Sequence, residues 1–188
     1  PKHKPLDAQH HTSTVLVSLA EQGERHFDFL VNPSADQFLT TSALPDFHAD
    51  ILHFCSLALV ASSCRETLET AMQQVHCAGG LLSFDINLRA QMWPDEDDML
   101  STINRIAHQA DILKMSEEEW YWLTDSNDFQ TAQRRLESFP APLKLVTYGA
   151  NGAIVFWQGK KFYFSGYKVK SVDATGAGDA FMSGLLAA

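Results

Sequence analysis

The sequence predicts an α/β protein with a mostly parallel central sheet, helices on both faces and a small β-hairpin beside it. Three observations carry that prediction. From Ile51 onward, short apolar runs of strand length alternate with longer segments of helical spacing, and βαβα order of this kind builds a parallel sheet through right-handed crossovers. Ahead of them, residues 14–19 and 25–31 alternate apolar and polar side chains around Gln22-Gly23, the pattern of two strands joined by a tight turn. A chain of 188 residues, 45% of them hydrophobic, can also bury a sizeable core.

The hairpin region covers residues 12–33 and the α/β core residues 34–188. In the core, residues 51–59 read as a buried strand, and Ser62 or Ser63 caps a helix reaching about His76. Gly79-Gly80 then reads as that helix's stop. Residues 81–85 form the next strand, residues 97–109 a helix, 112–115 a strand and 117–139 short helices, with a further core strand at 144–147. Gly159 and Gly166 punctuate strand-like runs across 153–172, which places hairpins on the sheet edge. No internal repeat or low-complexity segment is visible. Both ends read as cut: the chain opens without Met in a polar stretch and stops inside the apolar helix after Asp179 with no Gly or Asn cap. The expectation is an incomplete fold from the middle of a longer protein.

Composition excludes several functions. A formal net charge of −9 with only 14 basic residues, scattered along the chain, argues against a nucleic-acid or anionic-membrane partner. No apolar stretch approaches the roughly 20 residues of a membrane span. Cys55, Cys64 and Cys77 are odd in number and lack CxxC spacing, so they read as buried free thiols in a reducing cytoplasm. His3 and His10-His11 lack the spacing and Cys partners of a zinc site. Trp120-Tyr121-Trp122 reads as a helix packed on the sheet, since no basic residues interleave. No GxGxxG opens the first helix after a strand, which disfavours a dinucleotide-dependent oxidoreductase.

Ligands of open α/β sheets lie beyond the carboxyl ends of the strands, and four segments there carry chemistry. In Asp173-Ala174-Thr175-Gly176-Ala177-Gly178-Asp179-Ala180-Phe181, a glycine-shaped turn opens into a helix whose first amides and dipole favour an anion. Asp179, just inside that helix, is placed to take a proton from a hydroxyl; a plain helix cap is the other reading of the same residues. Asp85-Ile86-Asn87-Leu88-Arg89 offers an acceptor, an amide and a planar cation suited to phosphate or sugar oxygens, or a loop that caps the next helix. Ser116-Glu117-Glu118-Glu119 is a capping box. Thr147-Tyr148-Gly149-Ala150-Asn151-Gly152 is either a nucleotide loop or an ordinary turn.

The segment from Asp173 to Phe181 resembles the C-terminal signature of the ribokinase-like sugar kinases of the PfkB family, with Ala174 where Thr or Pro is commoner. The DxNxR stretch at Asp85, Asn87 and Arg89 and the TxGxxG stretch at Thr147, Gly149 and Gly152 are similar to further motifs of that family. The resemblance implies a ribokinase-like fold with the hairpin as its lid, and transfer of the γ-phosphoryl group of ATP to a sugar hydroxyl. Asp179 would be the base, and Gly176, Ala177, Gly178 and Arg89 would stabilise the transferring group. Lys114 would face the nucleotide phosphates, with Thr147, Gly149, Gly152, Asp85 and Asn87 on the nucleotide side. The family's Asn-x-x-Glu becomes Ser116-x-x-Glu119 here, and Glu119 would organise Mg²⁺ through water. A K⁺ ion would sit beside Asp173 and Thr175. Phe27 and Phe29 would seal the lid over the sugar or form a homodimer contact.

The family's N-terminal sugar-binding Gly-Gly and Asn stretch is not found in these 188 residues. Within the family the resemblance is nearest to the fructokinases, through Gln22-Gly23-Glu24-Arg25, Phe27, Phe29 and Pro33-Ser34-Ala35-Asp36, and it implies formation of fructose 6-phosphate in the cytoplasm. Aminoimidazole riboside kinases share much of this pattern. A non-catalytic fragment or sugar-binding module is the competing expectation.

Overall fold

The computed structural model describes residues 7–19, 25–31, 33–170 and 173–188. Strands β1 (Val15–Leu19) and β2 (Arg25–Phe29) pair antiparallel, with Val15 opposite Phe29 and Val17 opposite Phe27. This is the expected hairpin; its Gln22-Gly23 turn lies outside the described residues.

The main sheet runs in chain order through β3 (Ile51–Cys55), β4 (Leu81–Asp85), β5 (Ile112–Ser116), β6 (Leu143–Thr147), β7 (Gly152–Trp157) and β8 (Lys160–Ser165). The β3, β4, β5 and β6 pairings are parallel, and β7 and β8 close the edge antiparallel. Crossovers are supplied by α1 (Ser62–Cys77), α2 (Glu96–Ala107), α3 (Glu117–Leu123) and α4 (Phe129–Leu136). Right-handed crossovers that all step the same way leave their helices on one face. Accordingly Leu68 of α1, Ile103 of α2, Trp120 of α3 and Leu136 of α4 share one buried cluster with Phe84, Leu113, Met115 and Val146 of the strands. The opposite face carries α5 (Ala177–Ala187), whose Met182 packs on Ile112 and Leu145. Helices thus occupy both faces, four on one and one on the other among the described residues.

Several expectations are corrected. The strand expected over 51–59 ends at Cys55, and Ser56–Leu59 forms a 3₁₀ turn instead. The apolar run continues through it because Leu59 is fully buried there, and an apolar run alone does not distinguish strand from buried turn. The α1 N-cap is Ala61, which has no side chain to cap with; the Ser63 hydroxyl donates to the Gln37 carbonyl at 2.9 Å instead. Helix α2 starts at Glu96, capped by Asp95, which accepts from the Asp98 amide at 2.7 Å. Gly79 takes φ +78° after α1 as expected of a stop. Gly80 is required by space: a Cβ there would lie 2.3 Å from the Asp50 carbonyl oxygen. Of the cysteines only Cys64 is fully buried; Cys55 is half-buried and Cys77 exposed. His10 is engaged with Asp7 and stacked on Phe38, and no group of potential metal-ligating side chains is found among the described residues. No helix among them is long and apolar enough to cross a membrane.

Candidate active site

The carboxyl ends of β3, β4, β5 and β6, the start of α5 and one face of the β1–β2 hairpin enclose a single cleft of about 1080 Å³. Helix α5 opens at Gly176, which sits at φ +75° as N-cap with no side chain to cap the first turn. The amides of Gly178 and Asp179 therefore have no helix carbonyl to donate to, and they lie in the cleft lining. The Ala177 amide is not equivalent to them. It donates to the Ala174 carbonyl at 3.1 Å. The turn before the helix is closed by Asp173, whose carboxylate accepts from the Thr175 amide at 2.8 Å. Asp179 stands exposed in the first turn of α5.

Beneath this turn lies a buried ion pair. Parallel register sets Asp85 of β4 beside Lys114 of β5, and the Lys114 ammonium donates to both carboxylate oxygens at 2.9 Å. The side chains are 3% and 7% exposed respectively. Burial pushes the Asp85 carboxyl above the usual range, with Lys114 pulling against that shift. Lys114, expected to face nucleotide phosphates, gives two of its three donors to Asp85 and keeps one. Its position nevertheless fits the anion-binding turn, because a Cβ on Gly178 would lie 3.2 Å from the ammonium nitrogen. Gly178 lets the loop rest on that charge.

The loop after β4 turns at Asn87, which adopts φ +37°, a conformation Asn tolerates better than most residues. Arg89 then donates to the Leu88 carbonyl at 2.8 Å and places its guanidinium carbon 5.1 Å from the centroid of the Phe27 ring. Glu119 ties this loop to α3. One of its oxygens accepts from the Leu88 amide and the other from the Ser116 amide, both at 2.7 Å, while the Ser116 hydroxyl accepts from the Glu119 amide at 3.2 Å. The capping box is complete, and the extra bond to Leu88 reaches across 31 residues.

After β6, the Thr147 hydroxyl donates to the Met115 carbonyl at 3.4 Å. Gly149 lines the cleft at φ +55°. Gly152 does not line it, and its reason is packing: a Cβ there would lie 1.9 Å from the Phe164 carbonyl oxygen. Close approach of β7 and β8 thus requires glycine at position 152. Asp173 also stays out of the lining, whereas Thr175 is in it.

Phe27 and Phe29 face the cleft, joined by Val15 and Val17 from the paired strand. The two valines went unremarked in the sequence, although residues two apart on one strand share a face. Tyr148 also lines the cleft. Its hydroxyl is buried without a hydrogen-bond partner among the described residues, and burial pushes its pKa up to about 12. Cys55 is a further lining residue, its thiol pKa raised mainly by burial and secondarily by Asp85 and Asp179.

Comparison with known proteins gives a consistent result. Residues 3–188 match the pfkB family carbohydrate kinase. The fructokinase of Salmonella typhimurium is 46% identical over 187 residues, covering 98% of this chain and 61% of the relative. The aminoimidazole riboside kinase of the same species is 35% identical, covering 96% of this chain and 57% of the relative. A fructokinase double mutant from Vibrio cholerae O395, solved in fructose, ADP and potassium ion bound form, superposes with a TM-score of 0.88 at 41% identity over 96% of this chain and 58% of that chain. The chain therefore spans about 60% of the length of relatives it matches.

Proposed function

Because the chain belongs to the pfkB family of carbohydrate kinases, we propose that it works in ATP-dependent phosphorylation of a sugar hydroxyl, with D-fructose as substrate and fructose 6-phosphate as product. The observation that carries this reading is the placement of Asp179, Gly178 and the Lys114 ammonium around one point of the cleft, with Arg89 and the apolar hairpin face on its rim. The choice of fructose rests on the fructokinase relatives and their identity to this chain.

In the proposed reaction the primary hydroxyl oxygen of the sugar attacks the γ-phosphorus of ATP in line, the bond to the β,γ-bridging oxygen breaks, and ADP leaves. Asp179 accepts the hydroxyl proton. Charge spreading over the transferring oxygens meets the amides of Gly178 and Asp179, the remaining donor of Lys114 and the Arg89 fork. The catalysis is mostly positioning, so a fixed ammonium held by Asp85 is worth more than a mobile one. Val15, Val17, Phe27 and Phe29 would exclude water from the transferring group.

Both Glu119 oxygens already accept backbone amides, so the fit to Mg²⁺ is through water on their remaining lone pairs, the mode Mg²⁺ commonly uses. Bound there, Mg²⁺ would neutralise the β- and γ-phosphate oxygens. The Asp173–Thr175 turn has its carboxylate occupied by an amide, which leaves backbone oxygens near Asp173 and Thr175 as candidates for K⁺. A cytoplasmic enzyme and a homodimer through the outer face of the hairpin, where Leu16 is exposed, complete the reading.

A panel assay of ADP release tests it. The expected result is the highest kcat/KM for fructose. A higher value for aminoimidazole riboside would assign the activity of that relative instead, and binding of sugar without ADP release would support a non-catalytic module.

A further inference from the structure

The loop after β4 is clamped at one peptide unit from two sides. We propose that Ser56, the residue after β3, is a positioning residue for phosphoryl transfer: together with Glu119 it fixes the Asn87–Leu88 peptide and, through it, the guanidinium of Arg89. Its effect on turnover rests on the kinase reading; its effect on the placement of Arg89 does not.

Strand register brings the parts together. Cys55 pairs with Asp85 across the parallel β3 and β4, so Ser56 and Ile86 leave their strands side by side. The Ser56 amide donates to the Ile86 carbonyl at 3.3 Å, and the Ile86 amide donates to the Lys114 carbonyl at 3.0 Å. Ile86 is therefore still laddered on both sides. The chain leaves the sheet at Asn87, whose φ of +37° is left-handed. Backbone strain of this kind persists only where the surroundings over-determine it, and it gathers at functional sites.

Two side chains hold it here. The Ser56 hydroxyl donates to the Asn87 carbonyl at 3.3 Å, and Glu119 accepts from the Leu88 amide at 2.7 Å. That carbonyl and that amide belong to one planar trans peptide and point to opposite sides of the chain. Ser56 holds the plane from the β3 side and Glu119 from the α3 side, so it cannot rotate without breaking a bond. The Ser56 bond is the longer one, but it is made where no water competes, since Ser56 is fully buried. The Arg89 guanidinium in turn donates to the Leu88 carbonyl at 2.8 Å, so its place in the cleft follows from Leu88.

Ser56 itself is not catalytic. Its neighbours Cys55 and Leu57 line the cleft, whereas Ser56 does not and is fully buried. Placement of a donor to the transferring group is still sensitive to such a residue, because a shift on the order of 1 Å caused far from the chemistry can cost about 10²-fold. Loosening one clamp of two is milder and should cost about tenfold, the scale of one hydrogen bond.

Steady-state kinetics of Ser56→Ala, Arg89→Lys and the double variant test the assignment on the full chain. Alanine is smaller than serine and adds no atom to the buried position, so circular dichroism should be unchanged. Ser56→Ala should lower kcat/KM for fructose about tenfold, through kcat. In the Arg89→Lys background it should lower it less than about twofold, because the guanidinium that Ser56 positions is already gone. An equal loss in both backgrounds, or an unchanged kcat/KM in Ser56→Ala, would overturn the assignment. Nitrogen-15 relaxation at the Arg89 Nε–H needs no turnover. Its order parameter should fall in Ser56→Ala while the amides of α1 and α2 keep theirs; an unchanged Arg89 value would overturn the link. A chain without phosphoryl transfer would refute the kinase reading alone, and the relaxation measurement would still decide the role of Ser56.

Discussion

The Arg89 guanidinium lies over the face of Phe27, 5.1 Å from its centroid, so the hairpin and the loop after β4 touch through a cation and a ring. A two-stranded hairpin is marginal by itself in water, and this contact gives it a partner inside the cleft. Phe27→Leu keeps an apolar lid but removes the ring face, a contact of about 0.5–1 kcal/mol at such sites. The expected loss is about two- to fivefold in kcat/KM for the sugar. Arg89→Lys removes a planar fork aimed at the transferring group and should cost about 10²-fold. Hydrogen exchange should show protection over residues 25–29 rising with sugar. Protection already high without sugar and lost on dilution would assign the hairpin to a subunit interface instead.

Asp179→Asn keeps side-chain shape in the first turn of α5 while removing the proton acceptor. Turnover should fall on the order of 10²- to 10⁴-fold with ATP affinity little changed. Single-turnover kinetics and nucleotide binding separate the two effects, and a variant with near-normal turnover would remove Asp179 from the chemistry.

Much of this site is legible in the sequence because its parts are local. The turn before α5, the loop after β4 and the Ser116–Glu119 box each lie within ten residues, and each has its own turn or capping logic. What pattern reading misses is set by register. Asp85 and Lys114 are 29 residues apart, and only the parallel pairing of β4 with β5 brings them together. That Gly152 is also required by the approach of Phe164 is not visible from its loop pattern. The distribution of α1, α2, α3 and α4 onto one face likewise depends on strand order, which periodicity does not encode.

Glu119 accepts two amides from different segments, and that decides the outcome of Glu119→Gln. A carboxamide has one accepting oxygen, so its NH₂ group must face either the Leu88 or the Ser116 amide, donor against donor. The expected cost is about 1–3 kcal/mol, read as a lower midpoint in denaturant with unchanged slope. If Glu119 also organises Mg²⁺, the variant should need more Mg²⁺ for half-maximal rate. An unchanged Mg²⁺ titration would confine Glu119 to tying the loop after β4 to α3.

The buried pair beneath Gly178 gives a pH signature of known sign. The Asp85 pKa is raised, chiefly by burial, so its contribution to stability is present below the unfolded value of about 3.9 and is lost as pH rises through the folded pKa. Asp98 runs the other way. Hydrogen bonds from Arg65 lower its pKa, so its contribution is present above about 3.9 and is lost as pH falls through the folded value. Carboxyl-carbon NMR should therefore find Asp85 titrating above an ordinary aspartate and Asp98 below one; the reverse order would refute the assignment. At neutral pH, Asp85→Asn leaves the Lys114 ammonium buried without its counter-ion, at a cost of about 3–5 kcal/mol. Adding Lys114→Met to that variant removes the stranded charge and should recover most of the stability while leaving activity low. Recovery of both together would mean that the ammonium serves packing under the loop and no phosphoryl group.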